Sequence, residues 1–149
     1  MDGTLWARRS APDLDVPDTC VWHRELHTPR DLTTSRIALR EAVLNRPAPC
    51  DGAAEDMERL LLAFEELASN GLRHGRAPVA VTVTSTASGW LIDVSDAATN
   101  RSPAPAVDRD PAQGGLGLHL VARLSSTRGW WVRAGRKHVW ACVARVAVA

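Results

Sequence analysis

The sequence predicts an α+β domain, a two-layer α/β sandwich with a mostly antiparallel sheet and its helices on one face. Three observations carry this prediction. Val79, Val81 and Val83 alternate with Ala80, Thr82 and Thr84, and Trp90, Ile92 and Val94 alternate again after a turn at Ser88-Gly89. Strands joined by so short a turn run antiparallel. Met57, Leu60, Leu61, Phe64, Leu67, Ala68 and Leu72 recur with the 3.6-residue period of a helix lying on such a sheet. The order of elements along the chain is strand, helix, helix, two strands, long loop, helix, two strands.

Taken in order, Met1 to about Pro17 mixes Asp, Pro and Arg without periodicity and reads as a flexible arm ahead of a domain over 18–149. Cys20–His27 reads as an edge strand, with Trp22 and Leu26 on one side and Arg24 between them. Asp31–Asn45 reads as a helix carrying Ile37, Ala38, Leu39, Ala42 and Val43, stopped by Pro47 and Pro49. Glu55–His74 is the best helix in the chain, and Gly75 is well placed as its C-terminal stop. The strands Val79–Thr84 and Trp90–Asp96 follow. Ala97 to Gln113 is rich in Pro, Asp, Ala and Ser, and a patternless loop of this length inside a domain is usually functional or disordered. Leu116–Leu124 reads as a short helix with Leu116, Leu120, Val121 and Leu124 on one side. Trp130–Arg133 and Val139–Val146 read as a closing hairpin around Gly135.

Composition narrows the function classes. A chain of 149 residues, 45% hydrophobic and 23% charged, is ordinary for one globular domain. Its net charge of +1 offers no global field for nucleic acid or a membrane surface. Cys20, Cys50 and Cys142 are odd in number and widely spaced, so they read as small buried hydrophobes in a reducing cytoplasm rather than as a disulfide framework or a zinc site. No apolar run approaches the ~20 residues of a membrane span, and the N-terminus has no apolar signal region. His23 and His27 read as surface residues. Trp22, Trp90, Trp130, Trp131 and Trp140 read as core or interface packing, and an exposed tryptophan pair would serve a homodimer or partner surface.

Four segments carry chemistry. On the long helix Glu66, Asn70, Arg73 and His74 fall on one face, opposite the apolar stripe. A carboxylate there can accept a proton, and a carboxamide oxygen can hold Mg²⁺. Asp96 ends a strand on the side of Trp90, Ile92 and Val94, where a carboxylate can accept a hydrogen bond from an adenine amino group. Gly114-Gly115-Leu116-Gly117-Leu118 leads straight into a helix whose free N–H groups attract phosphate. Lys137, the only lysine, lies in the last hairpin, either as part of a plain basic turn or within reach of phosphates.

Each segment alone has a bland alternative, but their order and spacing resemble the GHKL ATPase superfamily of gyrase, ninety-kilodalton heat-shock chaperones and sensor histidine kinases. Glu66 to His74 corresponds to its N box, Asp96 heads the G1 box, and Gly115 and Gly117 lie in the G2 box. The segments Glu66–His74, Gly114–Val121 and Lys137–Trp140 are most similar to the small anti-sigma-factor serine/threonine kinases of bacteria. The likeness extends over roughly Cys20 to Val146, without room for transducer or dimerisation domains.

The resemblance implies a Bergerat-type ATP-binding fold with ATP and Mg²⁺ as cofactors. It implies Glu66 as general base and Asn70 as the Mg²⁺ ligand. It places Asp96 and Ala98 at the adenine, and Gly115, Leu116, Gly117, Leu118 and Lys137 around the rest of the nucleotide, with Arg73 and His74 lining the same pocket. Residues 97–113 would form the ATP lid. An anti-anti-sigma factor is the expected protein substrate, a sigma factor the expected captive partner, and the cytoplasm the expected compartment.

The chain departs from the family at the G1 box, where Asp-x-Gly-x-Gly reads Asp96-Ala97-Ala98-Thr99-Asn100. A Cβ at Ala98 is expected to narrow the space near the base and to disfavour positive φ, which Asn100 tolerates better. Three functions therefore stay open. They are an ATP-dependent protein kinase that switches sigma-factor partners, a non-catalytic scaffold for a regulatory protein, and an ATPase or kinase unrelated to transcription.

Overall fold

The computed structural model of the chain describes residues 6–12, 20–46, 53–103 and 116–145. The elements are β1 (Cys20–Leu26), α1 (Arg30–Leu44), α2 (Ala53–His74), β2 (Val79–Ser85), β3 (Gly89–Asp96), α3 (Leu116–Leu124), β4 (Thr127–Arg133) and β5 (Arg136–Ala144). Each element expected from sequence is present, within a few residues of its expected bounds. The strands form one five-stranded sheet in the order β1-β2-β3-β5-β4, every neighbouring pair antiparallel. The fold is thus the expected α+β sandwich.

Strand alternation sets the two faces of the sheet. Val81, Val83, Ile92, Val94, Val139, Ala141 and Val143 are buried against the helices. From α2 the stripe Leu60, Phe64, Leu67 and Ala68 packs down on them, with Leu118 and Val121 from α3 beside it. Trp22 meets Phe64 edge-on, with ring centroids 5.6 Å apart. The β4–β5 hairpin turns through Ala134 (φ 50) and Gly135 (φ 77), consecutive left-handed residues of the kind a two-residue hairpin needs.

Two expectations meet a different arrangement. Within the segment read as a flexible arm, Trp6 is only 4% exposed and belongs to the core, and its Nε1–H donates to the Leu118 carbonyl at 3.2 Å. The backbone beyond it forms a parallel bridge on the open edge of β4, with Arg9 N–H donating to Trp130 O at 2.8 Å and Trp130 N–H to Ala7 O at 3.1 Å. The Trp140 indole donates to Arg9 O at 3.0 Å. An edge strand offers a row of unpaired backbone groups, and this short segment satisfies part of it. A pattern search misses it because a single tryptophan has no period.

Cys20 is exposed, and Cys142 is half-buried; both are free thiols, while Cys50 lies outside the described residues. Cys20 starts an edge strand and so escapes the burial expected of it. The Trp130–Trp131 pair is half-buried rather than exposed, with Arg8 over the first ring and Arg133 over the second. Among the described residues no helix is long and apolar enough to cross a membrane.

Replacing Trp6 with Ala is expected to cost about 3 kcal/mol, the usual range for deleting a buried aromatic ring. Urea unfolding reads this as a lower midpoint with unchanged slope; an unchanged midpoint would show that the segment contributes nothing to the fold.

Candidate functional site

The site is built around α2. Glycines let that helix approach the sheet: a Cβ on Gly71 would stand 2.9 Å from Val94 Cγ1 and 3.2 Å from Val79 Cγ1. One turn later, a Cβ on Gly75 would stand 2.6 Å from Asp96 Cγ and 2.7 Å from its Oδ2. Gly75 N–H still bonds to Gly71 O at 2.9 Å, and its φ is not left-handed. It follows the last helical residue as expected, but close approach to Asp96, not a left-handed cap, is what requires glycine there. A second small residue four positions after Gly71 was the sequence signal for it.

Nine residues back along α2 from Gly75, and on another side of the helix, Glu66 lies against the start of α3. A Cβ built on Gly117 would overlap the Glu66 carboxylate, so glycine there lets the carboxylate lie directly against the start of α3. Burial pushes the Glu66 carboxyl above the ordinary glutamate range, and neighbouring Glu65 adds to the rise while Arg73 opposes it. A carboxylate so placed is a stronger base than an exposed one. Asn70 and His74, one and two turns beyond Glu66, are half-buried, and Arg73 is exposed. His74 also holds the segment after β3, its carbonyl accepting from Arg101 Nη1 at 3.2 Å.

Asp96 is 1% exposed. Its Oδ1 accepts the Ala98 N–H at 2.7 Å and, more distantly, the Arg76 N–H at 3.4 Å. Its Oδ2 faces Lys137 Nζ at 3.4 Å. Lys137 therefore sits in neither a basic turn nor an exposed position. It lies on β5 directly opposite Asp96, 3% exposed, because the β3–β5 register and the two-residue period put both on the helix-facing side.

The glycine-poor G1 segment is also relaxed. Among the described residues Ala134 is the only non-glycine with positive φ, so neither Ala98 nor Asn100 is left-handed. Ala98 is 4% exposed, held by the Asp96 side chain in a local turn and by Ala97 N–H donating to Arg76 O at 2.8 Å. The strain expected from losing the glycines is absent, because the chain takes another turn.

Of the remaining candidates, Leu118 turns its side chain into the core, leaving only its backbone near the site. Leu116 opens α3. Gly115 and most of the expected lid lie outside the described residues, Ala97–Pro103 being the described part of the lid. Among the described residues no cluster of His, Cys, Asp and Glu is built to hold a metal ion.

Two substitutions test this geometry. Gly75→Ala is expected to cost about 1–3 kcal/mol by overpacking, since both the Gly71 carbonyl and the Asp96 carboxyl stand in the way; thermal unfolding measures it. Glu66→Gln is expected to raise stability near neutral pH. The native state binds the Glu66 proton more tightly than the unfolded chain does, so its stability falls as pH rises through the raised carboxyl range. The advantage of the Gln variant should vanish below the ordinary glutamate range, as melting curves across pH would show.

This arrangement puts a half-buried carboxylate beside a glycine that opens a helix, and a buried carboxylate beside the glycine that follows α2. No curated protein matches the chain. The family model of the histidine kinase-like ATPase domain matches residues 27–142, from the end of β1 into β5 and across every site residue described above. The chain therefore belongs to the family of histidine kinase-like ATPase domains.

Proposed function

We propose that this chain binds ATP with Mg²⁺ between α2 and α3 and transfers the terminal phosphoryl group to a serine or threonine hydroxyl of a protein partner. An anti-anti-sigma factor is the proposed substrate and a sigma factor the captive partner, after the anti-sigma kinases the sequence resembles. One observation carries the reading. Glu66, against Gly117, and Asp96, against Gly75, put carboxylates at two levels along α2. Nine residues of helix separate Glu66 from Gly75, about 13 Å along the axis, a span comparable to a nucleoside triphosphate.

The residues suit such a ligand. A Cβ at either Gly75 or Gly117 would fill the space beside a carboxylate. The start of α3 supplies backbone N–H donors suited to phosphate. Asn70 offers a carboxamide oxygen to Mg²⁺, whose contribution is to neutralise charge on the phosphates. Glu66 takes the proton of the attacking hydroxyl, a task its raised carboxyl range favours. Asp96 accepts a hydrogen bond from the base.

A second reading, a non-catalytic scaffold, draws on the partners Asp96 already has in Ala98 and Lys137. Calorimetric titration with Mg²⁺ and ATP separates the two. The kinase reading expects binding by the unsubstituted chain and by Glu66→Gln. It expects phosphorylation of a small partner protein only with Glu66 present, with a loss on the order of 10²-fold or more in the variant. Transfer should also decline as pH falls through the raised Glu66 range. Absence of heat at millimolar nucleotide would remove the reading.

A further inference from the structure

The buried ion pair at the base end of the site has a chemistry of its own. Asp96 and Lys137 are direct cross-strand partners, two residues from the core residues Val94 and Val139 on the same side. Lysine is almost never fully buried unless paired. Here its ammonium lies 3.4 Å from Asp96 Oδ2, while Oδ1 is engaged by the Ala98 N–H at 2.7 Å. An ammonium carries three donors and no acceptor, and a carboxylate only accepts. The base end of the site therefore presents an acceptor and a donor side by side, both out of water. Gly75 brings the helix backbone close against Oδ2, where a side chain would collide with the carboxyl.

We infer that Lys137 is a second base-reading residue, donating to the ring N1 of adenine while Asp96 accepts from the adjacent 6-amino group. The inference rests on the ATP-binding reading and deepens it. Adenine presents a donor, its 6-amino group, next to an acceptor, N1. The Asp96–Lys137 pair is the complement of that order. A 6-oxopurine presents the reverse order and sets its oxygen against the carboxylate. In this assignment Lys137 serves the base rather than the phosphates.

The test is calorimetric titration of the full chain, with Mg²⁺, against ATP, 1-deaza-ATP and 7-deaza-ATP. Replacing N1 by C–H is expected to weaken binding about 10- to 100-fold, the usual effect of losing a hydrogen bond to a charged group. The 7-deaza analogue, altered on the other edge of the base, is expected to bind as ATP does. In Lys137→Met the difference between ATP and 1-deaza-ATP is expected to disappear. Because removing the cation leaves Asp96 buried without its partner and can unfold the chain, the neutral double variant Asp96→Asn, Lys137→Met serves as a second background with the same expectation. Equal affinity of the unsubstituted protein for ATP and 1-deaza-ATP overturns the role of Lys137 and leaves ATP binding standing. Equal losses with both analogues overturn the assignment to N1. No binding of ATP at all overturns both the inference and the reading beneath it.

Discussion

The close seat of α2 on the sheet is the constraint on which the rest depends. Gly71 and Gly75 remove the side chains that would hold the helix away from Val94, Val79 and Asp96. With the backbone drawn in, a carboxylate at the end of β3 lies directly against the last turn of the helix. The same helix, further back, meets α3 at Gly117. Three glycines thus set the spacing of two carboxylates and the helix that joins them. A larger residue at Gly71 or Gly75 would move an element, because the neighbouring atoms are backbone or buried side chains with little room to yield, and one at Gly117 would displace the Glu66 carboxylate.

The two carboxylates have different neighbours. Glu66 is half-buried with Glu65 nearby, and its charged form is disfavoured. Asp96 is almost fully buried, yet it has a backbone N–H on one oxygen and an ammonium facing the other. Burying an ion pair is costly, and removing one partner from such a pair typically costs about 3–5 kcal/mol. The fold keeps the pair inside the site all the same. The proposed division of roles, proton transfer for Glu66 and recognition for Asp96, draws on this difference in environment.

The elements of the fold were legible because their signals are local. The 3.6-residue stripe from Met57 to Leu72 and the alternation from Val79 to Val83 each define a face without reference to the rest of the chain. The face carrying Glu66, Asn70 and His74 could be read for the same reason. Trp6 could not, since its place depends on an open edge of β4 and a carbonyl of α3 that lie over a hundred residues away in the chain. The relaxed turn at Ala98 was equally hidden, because it depends on which backbone N–H the Asp96 side chain reaches.

Lys137 marks the boundary most clearly. Its sequence neighbours suggest a basic turn, and its charge suggests phosphate. Sequence alone determined the secondary elements, the antiparallel sandwich, the family and the helix face that bears Glu66, because periodicity and motif spacing are properties of short stretches. Only the tertiary structure decided that Lys137 faces Asp96, that Gly75 serves close approach and that the N-terminal segment closes the β4 edge. Each of these follows from strand register and from the distance between packed layers, and neither quantity is written in any local stretch of residues.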